Sequence, residues 1–310
     1  MTPAASPARP ARTPAALKPL RGVRVLSLAL NLPGPGALMR LKAMGASCTK
    51  AEPPGPKGAP AGTSGDPMGQ YNPQAYGTLH AGIQVLSIDL KSDKGQAALH
   101  KALARTDLLL TSFRPSALNK LGLAWKALHR QYPALSVVTI VGAPGARAEE
   151  PGHDLTYLAE AGLVTGLDLP ASLFADMGGA LMASEAALKA VLLQKTSGKG
   201  TFQEIALSDA AHWLALPRSW GLTQPRGAVG GAHAGYRVYP CQNGRVAVAA
   251  LEPHFASALC TAAGLGMAGM ATLFKPATHQ AIADFLASQT RQQLDALALA
   301  QDIPLHTLAP

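Results

Sequence analysis

The sequence is poor in cysteine, in aromatic residues and in long apolar runs. Its three cysteines, Cys48, Cys241 and Cys260, lie far apart and form no CxxC pair. This pattern argues against a disulfide framework and against a zinc site, so we expect no metal centre. It also favours a reduced, cytoplasmic compartment, and the N-terminus lacks the apolar stretch of a signal peptide.

Two further shortages exclude classes of partner. Aromatic residues make up 5% of the chain, too few for a reader of single-stranded nucleic acid built on stacking platforms. No apolar run reaches about 18 residues, the length that a membrane-spanning helix needs. The formal net charge is +9, but the positive charge is dispersed and no basic helix or RNP-like motif is present. We therefore expect neither a nucleic-acid partner nor a membrane partner.

Length and composition indicate a globular protein of about two domains. The chain has 310 residues, of which 48% are hydrophobic and 15% are charged. Residues 1–19 are rich in alanine, proline and arginine, a composition typical of a flexible leader.

The ordered part begins with a strand at residues 23–30, a Pro/Gly turn and a helix at 36–45. Short apolar runs then alternate with helical segments, which is typical of a doubly wound parallel sheet. The predicted further strands are at 48–51, 85–90, 107–111, 136–141 and 201–206. Residues 53–78 are rich in Pro, Gly and Ser and predict a long irregular loop. After residue 235 a hairpin and three helices, at 254–264, 278–288 and 290–300, indicate a second domain.

The first turn carries part of a dinucleotide-binding fingerprint. Gly34 and Gly36 are in place, but Met39 occupies the position of the third glycine and Pro35 removes a backbone amide. Glu52 lies about 20 residues downstream, where a ribose-binding acid would be. The incomplete motif favours a tight strand-to-helix turn over nicotinamide binding.

A second candidate is His153 in the stretch PGHDLTY, at the predicted start of a helix over residues 153–167. A single histidine in such a place is more often structural than catalytic. Gly152, however, lets a ligand approach the backbone, and Tyr157 lies four residues on, along the same helix face.

Two acidic residues are further candidates. Asp176 precedes Gly178 and Gly179, at the start of a helix predicted over residues 178–195, where it is either an N-cap or a carboxylate facing a ligand. Glu252 lies between an apolar strand and a helix, where most glutamates are solvated or capping. Together with His153 they supply two bases for an acidic C–H bond, and helix N-termini can stabilise the enolate.

Several stretches, in this order, resemble the family III CoA-transferases of the CaiB/BaiF type, the superfamily that includes α-methylacyl-CoA racemase and formyl-CoA transferase. The resemblance runs from about residue 20 to 308. It is carried by GVRVLSLALNLPGPGALMRLKAMGA, LSIDLKSDKG, DLLLTSFRPSALNKLGL, PGHDLTYLAEAGL, ADMGGALMA, SGKGTFQEIALSDA and YRVYPCQNGRVAVAALEPHF.

The resemblance implies an α/β fold with two domains. A Rossmann-like, parallel-sheet large domain would span residues 20–215, followed by a linker at 216–229 and a smaller α/β domain at 230–310. It also implies an interlocked homodimer, with the active site where the large domain of one subunit meets the small domain of the other.

The GHDLTY and LEPHF motifs are similar to those of the racemase branch. This implies that His153 and Asp176 exchange the α-proton of a 2-methylacyl-CoA thioester through an enolate, and that Glu252 orients His153 or tunes the site. Coenzyme A would then carry the substrate, with no permanently bound cofactor. Asp176 also stands where the transferase branch has its nucleophile, so transfer of CoA between carboxylic acids stays open, as does a repurposed or inactive member.

The chain departs from the family in the segment expected to meet the CoA phosphates. His80 to Gln84 replace the basic residues usual there, which removes charge-assisted contacts. Either Arg114 and scattered lysines such as Lys50 and Lys57 compensate, or CoA binding is weakened. Gly152 and Tyr157 complete the expected CoA-binding set. The loop VGAPGARAE at 142–150 also lacks the aromatic and glutamine residues of the family pattern.

Overall fold

A computed structural model describes residues 17–60, 62–266 and 269–310. The chain forms two compact units, of which the first ends at Leu214 and the second begins at Ala215. The expected leader, residues 1–19, lies outside the described residues except for its last three. Within the described ranges, no helix is both long enough and apolar enough to cross a membrane.

The first unit is built on a six-stranded sheet in which every neighbouring pair of strands is parallel. The strands follow the spatial order β3-β2-β1-β4-β5-β6, the order of a Rossmann-like fold. This confirms the predicted α/β class. The strands are β1 (Arg24–Ser27), β2 (Ser47–Glu52), β3 (Gln84–Ser87), β4 (Leu108–Thr111), β5 (Ser136–Val141) and β6 (Phe202–Ala206).

Alternate residues of each strand point to opposite faces of this sheet. Because the side chains on both faces are apolar, helices cover both faces. Leu108 and Leu110 belong to one buried cluster, and Leu109 between them belongs to another. The helices of the first unit are α1 (Pro33–Ala43), α2 (Pro67–Tyr71), α3 (Pro73–Leu79), α4 (Asp93–Leu103), α5 (Pro115–Lys120), α6 (Trp125–Gln131), α7 (Asp154–Glu160), α8 (Phe174–Ser197) and α9 (Leu207–Leu214).

Helix α8 is the central helix of one face, and its small side chains let it lie close to α1. A Cβ atom on Gly36 of α1 would come within 3.2 Å of the Ala180 Cβ atom. The helix starts at Phe174, earlier than the predicted residue 178, so Asp176 lies inside its first turn. The alternative in which Asp176 is the N-cap of this helix was therefore wrong.

The segment predicted as a long irregular loop contains two short helices, α2 and α3. Asp66 caps α2 by accepting the Met68 N–H, and Asn72 caps α3 by accepting the Ala75 N–H. A proline follows each cap, and proline suits the first helical position because no amide is needed there. The prediction of a loop over all of residues 53–78 was wrong for this reason. The predicted helix over residues 153–167 is also shorter, because α7 ends at Glu160.

The second unit is a three-stranded antiparallel sheet, in the order β7-β8-β9, with helices around its own core. The predicted hairpin and the three helices after it are present, and the last strand was not predicted. The elements are α10 (Leu216–Ser219), β7 (Tyr236–Cys241), β8 (Gly244–Ala249), α11 (Pro253–Ala262), α12 (Pro276–Ala287), α13 (Arg291–Gln301) and β9 (Leu305–Leu308).

Candidate active site

A small cavity of about 160 Å³ lies at the carboxyl ends of the parallel strands in the first unit. Asn31 follows β1, and Ser112 and Arg114 follow β4, so the cavity opens between these two adjacent strands. From β1 the chain continues toward one edge of the sheet, and from β4 it continues toward the other edge. Ligands of open α/β sheets bind at this point, outside the carboxyl ends of the strands. The wall also includes Gly142, Gly152, His153, Tyr157 and Asp176.

The backbone of Asp176 is held by a carboxylate of a neighbouring helix. Its N–H donates a hydrogen bond of 2.9 Å to Oδ1 of Asp154, which is buried in the first turn of α7. Burial, with a smaller contribution from the negative charge of Asp154, raises the pKa of Asp176 from 3.8 to about 7. A carboxyl group with such a pKa is present in both protonation states near neutral pH, which suits acid–base catalysis.

His153 is the residue immediately before α7, and its side chain is exposed and lines the cavity. Its backbone is fixed because its N–H donates to the Thr156 hydroxyl, which in turn donates to the His153 carbonyl. The structure therefore brings His153 and Asp176 to the wall of the same cavity, as the sequence indicated.

Tyr157 is buried, and its phenol lies between two glycines of the cavity wall. A Cβ atom on Gly142 or on Gly152 would collide with the Tyr157 hydroxyl group. Burial and the charge of Asp176 raise the pKa of this phenol, so it stays protonated and can donate a hydrogen bond at neutral pH. Gly152 thus makes room for Tyr157, and since it also lines the cavity, the close ligand approach expected of it stays a prediction.

Arg114 precedes α5 and is exposed at the cavity. It is the one lysine or arginine of the cavity wall among the residues that the structure describes. Its position fits a guanidinium that receives an anionic group of a ligand.

Lys50 is in a different place from the one we expected of a CoA-binding cation. It is fully buried near the end of β2, and its ammonium contacts the carboxylates of Asp66 and Glu52. The structure does not bring Lys50 to the cavity wall, and its charge is already paired with these two carboxylates. In this arrangement it offers no cation to a ligand phosphate.

Glu52 is likewise committed to protein partners. Its carboxylate accepts hydrogen bonds from the hydroxyl groups of Ser64, at 2.7 Å, and Tyr76, at 2.9 Å, besides its contact with Lys50. These contacts occupy the carboxylate that a ribose would need, in agreement with the preference for a simple turn over a nicotinamide site.

Glu252 belongs to the second unit, so its relation to His153 stays a prediction. It precedes α11, is exposed, and makes no capping hydrogen bond through its side chain. In the described part of the chain, no group of three or more His, Cys, Asp or Glu residues could hold a metal ion.

Two residues of the site were missed at the level of sequence. Asp154 stands in the quoted motif next to His153, but its bond to the Asp176 backbone joins residues 22 positions apart. Asn31 lines the cavity with a φ of 62°, in the left-handed region. The turn residues around Asn31 were the available signal for it.

Comparison with known proteins identifies one family over nearly the whole chain. The family described as CoA-transferase family III matches residues 20–309. The α-methylacyl-CoA racemase of Mus musculus is 28% identical over 296 residues, which cover 88% of this chain and 73% of the racemase. The succinyl-CoA–D-citramalate CoA-transferase of Chloroflexus aurantiacus is 30% identical over 65% of this chain and 52% of that protein. The cinnamoyl-CoA:phenyllactate CoA-transferase of Clostridium sporogenes is 32% identical over 61% of this chain and 49% of that protein.

The match therefore spans only about half the length of these two transferases. Among solved structures, a hypothetical protein of Mycobacterium tuberculosis superposes with a TM-score of 0.78 at 22% identity, covering 95% of this chain and 86% of that chain. A CaiB/BaiF family protein of Brucella suis gives a TM-score of 0.76 at 23% identity, with 95% and 84% covered. At these identities the structures show a shared fold. Since the family match extends over nearly all the described residues, the chain belongs to CoA-transferase family III.

Proposed function

We propose that this protein is an acyl-CoA racemase or epimerase that exchanges the α-proton of a 2-methylacyl-CoA thioester. The observation that carries the proposal is the presence of His153 and Asp176, an exposed imidazole and a carboxyl group with a pKa of about 7, on the wall of one cavity. Two acid–base groups at one carbon atom are what inversion of an acidic C–H centre requires.

In the proposed reaction one of the two groups removes the α-proton. The electron pair of the broken C–H bond moves into the thioester carbonyl and forms an enolate. The other group, protonated at the start, donates its proton to the opposite face of the α-carbon. The product is the other enantiomer, and the reverse reaction restores both groups to their original protonation states.

The remaining wall supplies binding and charge stabilisation. Arg114 would receive a phosphate of CoA, because a guanidinium pairs well with phosphate oxygens. The Tyr157 hydroxyl, neutral at working pH, is a candidate hydrogen-bond donor to the thioester oxygen as negative charge develops there. Coenzyme A enters as part of the substrate and leaves with the product.

In the racemase reaction Glu252 is proposed to orient His153 or to tune the site. A second candidate function is transfer of CoA between carboxylic acids. Relatives named CoA-transferases are 30% and 32% identical to this chain, close to the 28% of the racemase. In that reaction the Asp176 carboxylate attacks the thioester carbonyl and forms a mixed aspartyl–acyl anhydride as the C–S bond breaks and CoA leaves as a thiolate. The thiolate then attacks the aspartyl carbonyl, which releases the first carboxylic acid and leaves an aspartyl-CoA thioester. The second carboxylate attacks this thioester to form a second mixed anhydride, and the freed thiolate attacks its acyl carbonyl, which gives the new acyl-CoA and regenerates Asp176. A repurposed member without activity is the third candidate. We also propose the homodimer that the family resemblance implies, and the cytoplasmic location that the scarcity of cysteine favours.

The distinguishing experiment is incubation of the purified protein with 2-methylacyl-CoA in D₂O, with the α-proton followed by NMR. Racemase activity predicts loss of the α-proton signal, and each of His153→Ala and Asp176→Asn should abolish it. His212→Ala and Asp209→Asn are matched controls, because both residues are exposed on α9 and neither lines the cavity. Asp209, like Asp176, lies in the first turn of its helix.

The other outcomes separate the candidates. No α-proton exchange, together with transfer of CoA to an added carboxylate, would replace the racemase proposal with the transferase one. Full exchange in either cavity variant would remove that residue from the mechanism. Failure to bind any CoA ester would favour the inactive member.

A further inference from the structure

A buried ionic cluster lies next to the cavity and takes no part in the proposed chemistry. Lys50 and Asp66 are fully buried and Glu52 is 5% exposed. The Lys50 ammonium contacts Asp66 and lies 3.2 Å from Glu52 Oε2, and it donates to Nε2 of His80 at 3.1 Å. Burial and the charge of Lys50 lower the pKa of His80, so its imidazole stays neutral within the cluster.

One member of this cluster is hydrogen-bonded to a residue of the cavity wall. Oδ1 of Asp66 accepts the backbone N–H of Asn31 at 3.1 Å, besides the N–H of Met68 at 3.0 Å. Its other oxygen faces the Lys50 ammonium. A single buried carboxylate therefore connects a buried cation to the residue that follows β1 at the cavity.

The conformation of Asn31 needs such support. Its φ of 62° lies in the left-handed region, which it shares with only one other non-glycine residue, Asp302, in the described part of the chain. Residues with a Cβ atom adopt this region at a cost, and the conformation persists only where neighbours hold it. The charged hydrogen bond from Asp66 to the Asn31 amide is such a constraint.

We infer that Asp66 is a positioning residue of the active site: its carboxylate holds the Asn31 backbone at the cavity wall, and the buried Lys50 ammonium holds that carboxylate. The test of this inference by kcat for α-proton exchange rests on the proposed function. The effect of Asp66 on catalysis is indirect, through the shape of the wall beside His153 and Asp176.

Glu52 provides the matched control for this inference. It lies in the same cluster, contacts the same Lys50 ammonium and is nearly as buried, but it forms no bond to Asn31. Loss of either carboxylate disturbs the buried charge balance, whereas only loss of Asp66 releases the Asn31 backbone.

The experiment compares Asp66→Ala, Asp66→Asn and Glu52→Ala in the full-length protein. In Asp66→Ala we expect kcat for α-proton exchange to fall by at least about ten-fold, because small displacements of a catalytic wall are costly. Asp66→Asn should recover much of the loss, since its amide oxygen can still accept the Asn31 N–H. Glu52→Ala should lose thermal stability while its kcat stays within about two-fold of wild type.

A second readout does not depend on activity. Hydrogen–deuterium exchange of the peptide containing Asn31 should be faster in Asp66→Ala than in Glu52→Ala, by about ten-fold at the Asn31 amide. If wild type shows no α-proton exchange, the proposed function fails, and this measurement still decides the positioning role. Equal kcat and equal amide exchange in the two alanine variants would overturn the inference.

Asp66→Ala leaves a buried ammonium with one charge partner fewer and is the variant most prone to misfold. If it does not fold, the comparison moves to Lys50→Met/Asp66→Ala against Lys50→Met/Asp66→Asn. Both double variants lack the ion pair, and they differ in the oxygen that accepts the Asn31 N–H. Faster exchange at Asn31 and a lower kcat in the alanine form support the inference, and identical behaviour refutes it.

Discussion

The carboxylate of Asp154 accepts the backbone N–H of Asp176 at 2.9 Å, and this bond joins the first turns of two helices. Helix α7 begins directly after His153, and α8 carries Asp176. The two groups proposed to move the proton are thus fixed to elements that one charged hydrogen bond holds together. The same carboxylate places a negative charge near Asp176 and contributes to its raised pKa.

The pH dependence of the reaction should report the raised pKa of Asp176. For proton exchange between two bases, the active enzyme carries one proton shared between His153 and Asp176, so kcat/KM should follow a bell-shaped profile. One limb should lie at about pH 7, the pKa of Asp176. A transferase, which needs only the ionised carboxylate, would show activity that rises through about pH 7 with no matching fall. The measurement is the rate of exchange or transfer against pH.

Asp154→Asn tests the contribution of the neighbouring charge. The variant keeps an oxygen that can accept the Asp176 N–H but removes the negative charge, so the pKa of Asp176 should fall. Because burial is the larger cause of the raised pKa, the limb of the pH profile that reports Asp176 should move only part of the way toward pH 3.8. Asp209→Asn serves as the control for the loss of one negative charge. An unmoved limb in Asp154→Asn would show that Asp154 acts through geometry alone.

The raised pKa of Asp176 also makes stability depend on pH. Since the folded state favours the neutral acid, the contribution is fully present below the unfolded pKa of 3.8 and is lost as pH rises through about 7. Asp176→Asn is neutral at every pH. Its free energy of unfolding should therefore exceed that of wild type by up to about 4 kcal/mol at about pH 8, with little difference at about pH 4.

Denaturant unfolding at the two pH values measures this difference. Asp209→Asn, which removes an exposed carboxylate, should show no comparable gain at the higher pH. A wild-type protein as stable as Asp176→Asn at about pH 8 would mean that the carboxylate ionises without cost, and that its pKa is not raised.

The phenol of Tyr157 and its two glycine neighbours give a prediction on packing. In Gly142→Ala the new Cβ atom would collide with the Tyr157 hydroxyl, while Cζ of the ring lies 3.1 Å away. In Gly152→Ala the new atom would also lie 2.7 Å from Cζ. Each variant should therefore lose about 1–3 kcal/mol of stability through overpacking.

Tyr157→Phe should have different effects on Gly142→Ala and Gly152→Ala. It removes the hydroxyl and should restore most of the stability of Gly142→Ala, but little of that of Gly152→Ala, where the ring itself is in the way. Thermal unfolding of the three single variants and the two double variants measures this. Equal rescue at both positions would contradict the geometry of the cavity wall.

Local patterns predicted the parallel sheet because buried strands and the helices between them leave regular signals. They failed over residues 67–79, where Asp66-Pro67 and Asn72-Pro73 are in fact N-cap and first-turn pairs. The density of proline and glycine around them concealed two short helices. A closer reading of cap and proline together would have found both.

The residues of the site were predictable only where each stands in a recognisable motif. His153 and Asp176 stand in two recognisable stretches, and the structure brings them to one cavity. The burial of Lys50 depends instead on partners 16 and 30 residues away, Asp66 and His80, and on how the intervening segment folds. No periodicity in the sequence reports such a contact, which is why Lys50 was expected at a ligand.

Lys50 and Arg114 should consequently respond in opposite ways to substitution. Lys50→Met leaves Asp66 and Glu52 buried without their cation, so the free energy of unfolding should fall by about 3–5 kcal/mol. Arg114→Gln removes an exposed cation at the cavity, so stability should hardly change. Affinity for CoA should fall by about ten-fold, with a weaker dependence on salt, if the guanidinium pairs with a phosphate.

Titration calorimetry with free CoA at two salt concentrations, together with denaturant unfolding, separates the two effects. Arg105→Gln is the control for Arg114→Gln, because Arg105 is an exposed arginine after α4 that does not line the cavity. The opposite pattern, with weak CoA binding in a fully stable Lys50→Met, would mean that Lys50 leaves its carboxylate partners when CoA binds. In that event Lys50 would exchange the carboxylates of Asp66 and Glu52 for a phosphate of CoA, in the phosphate-binding role that the sequence indicated.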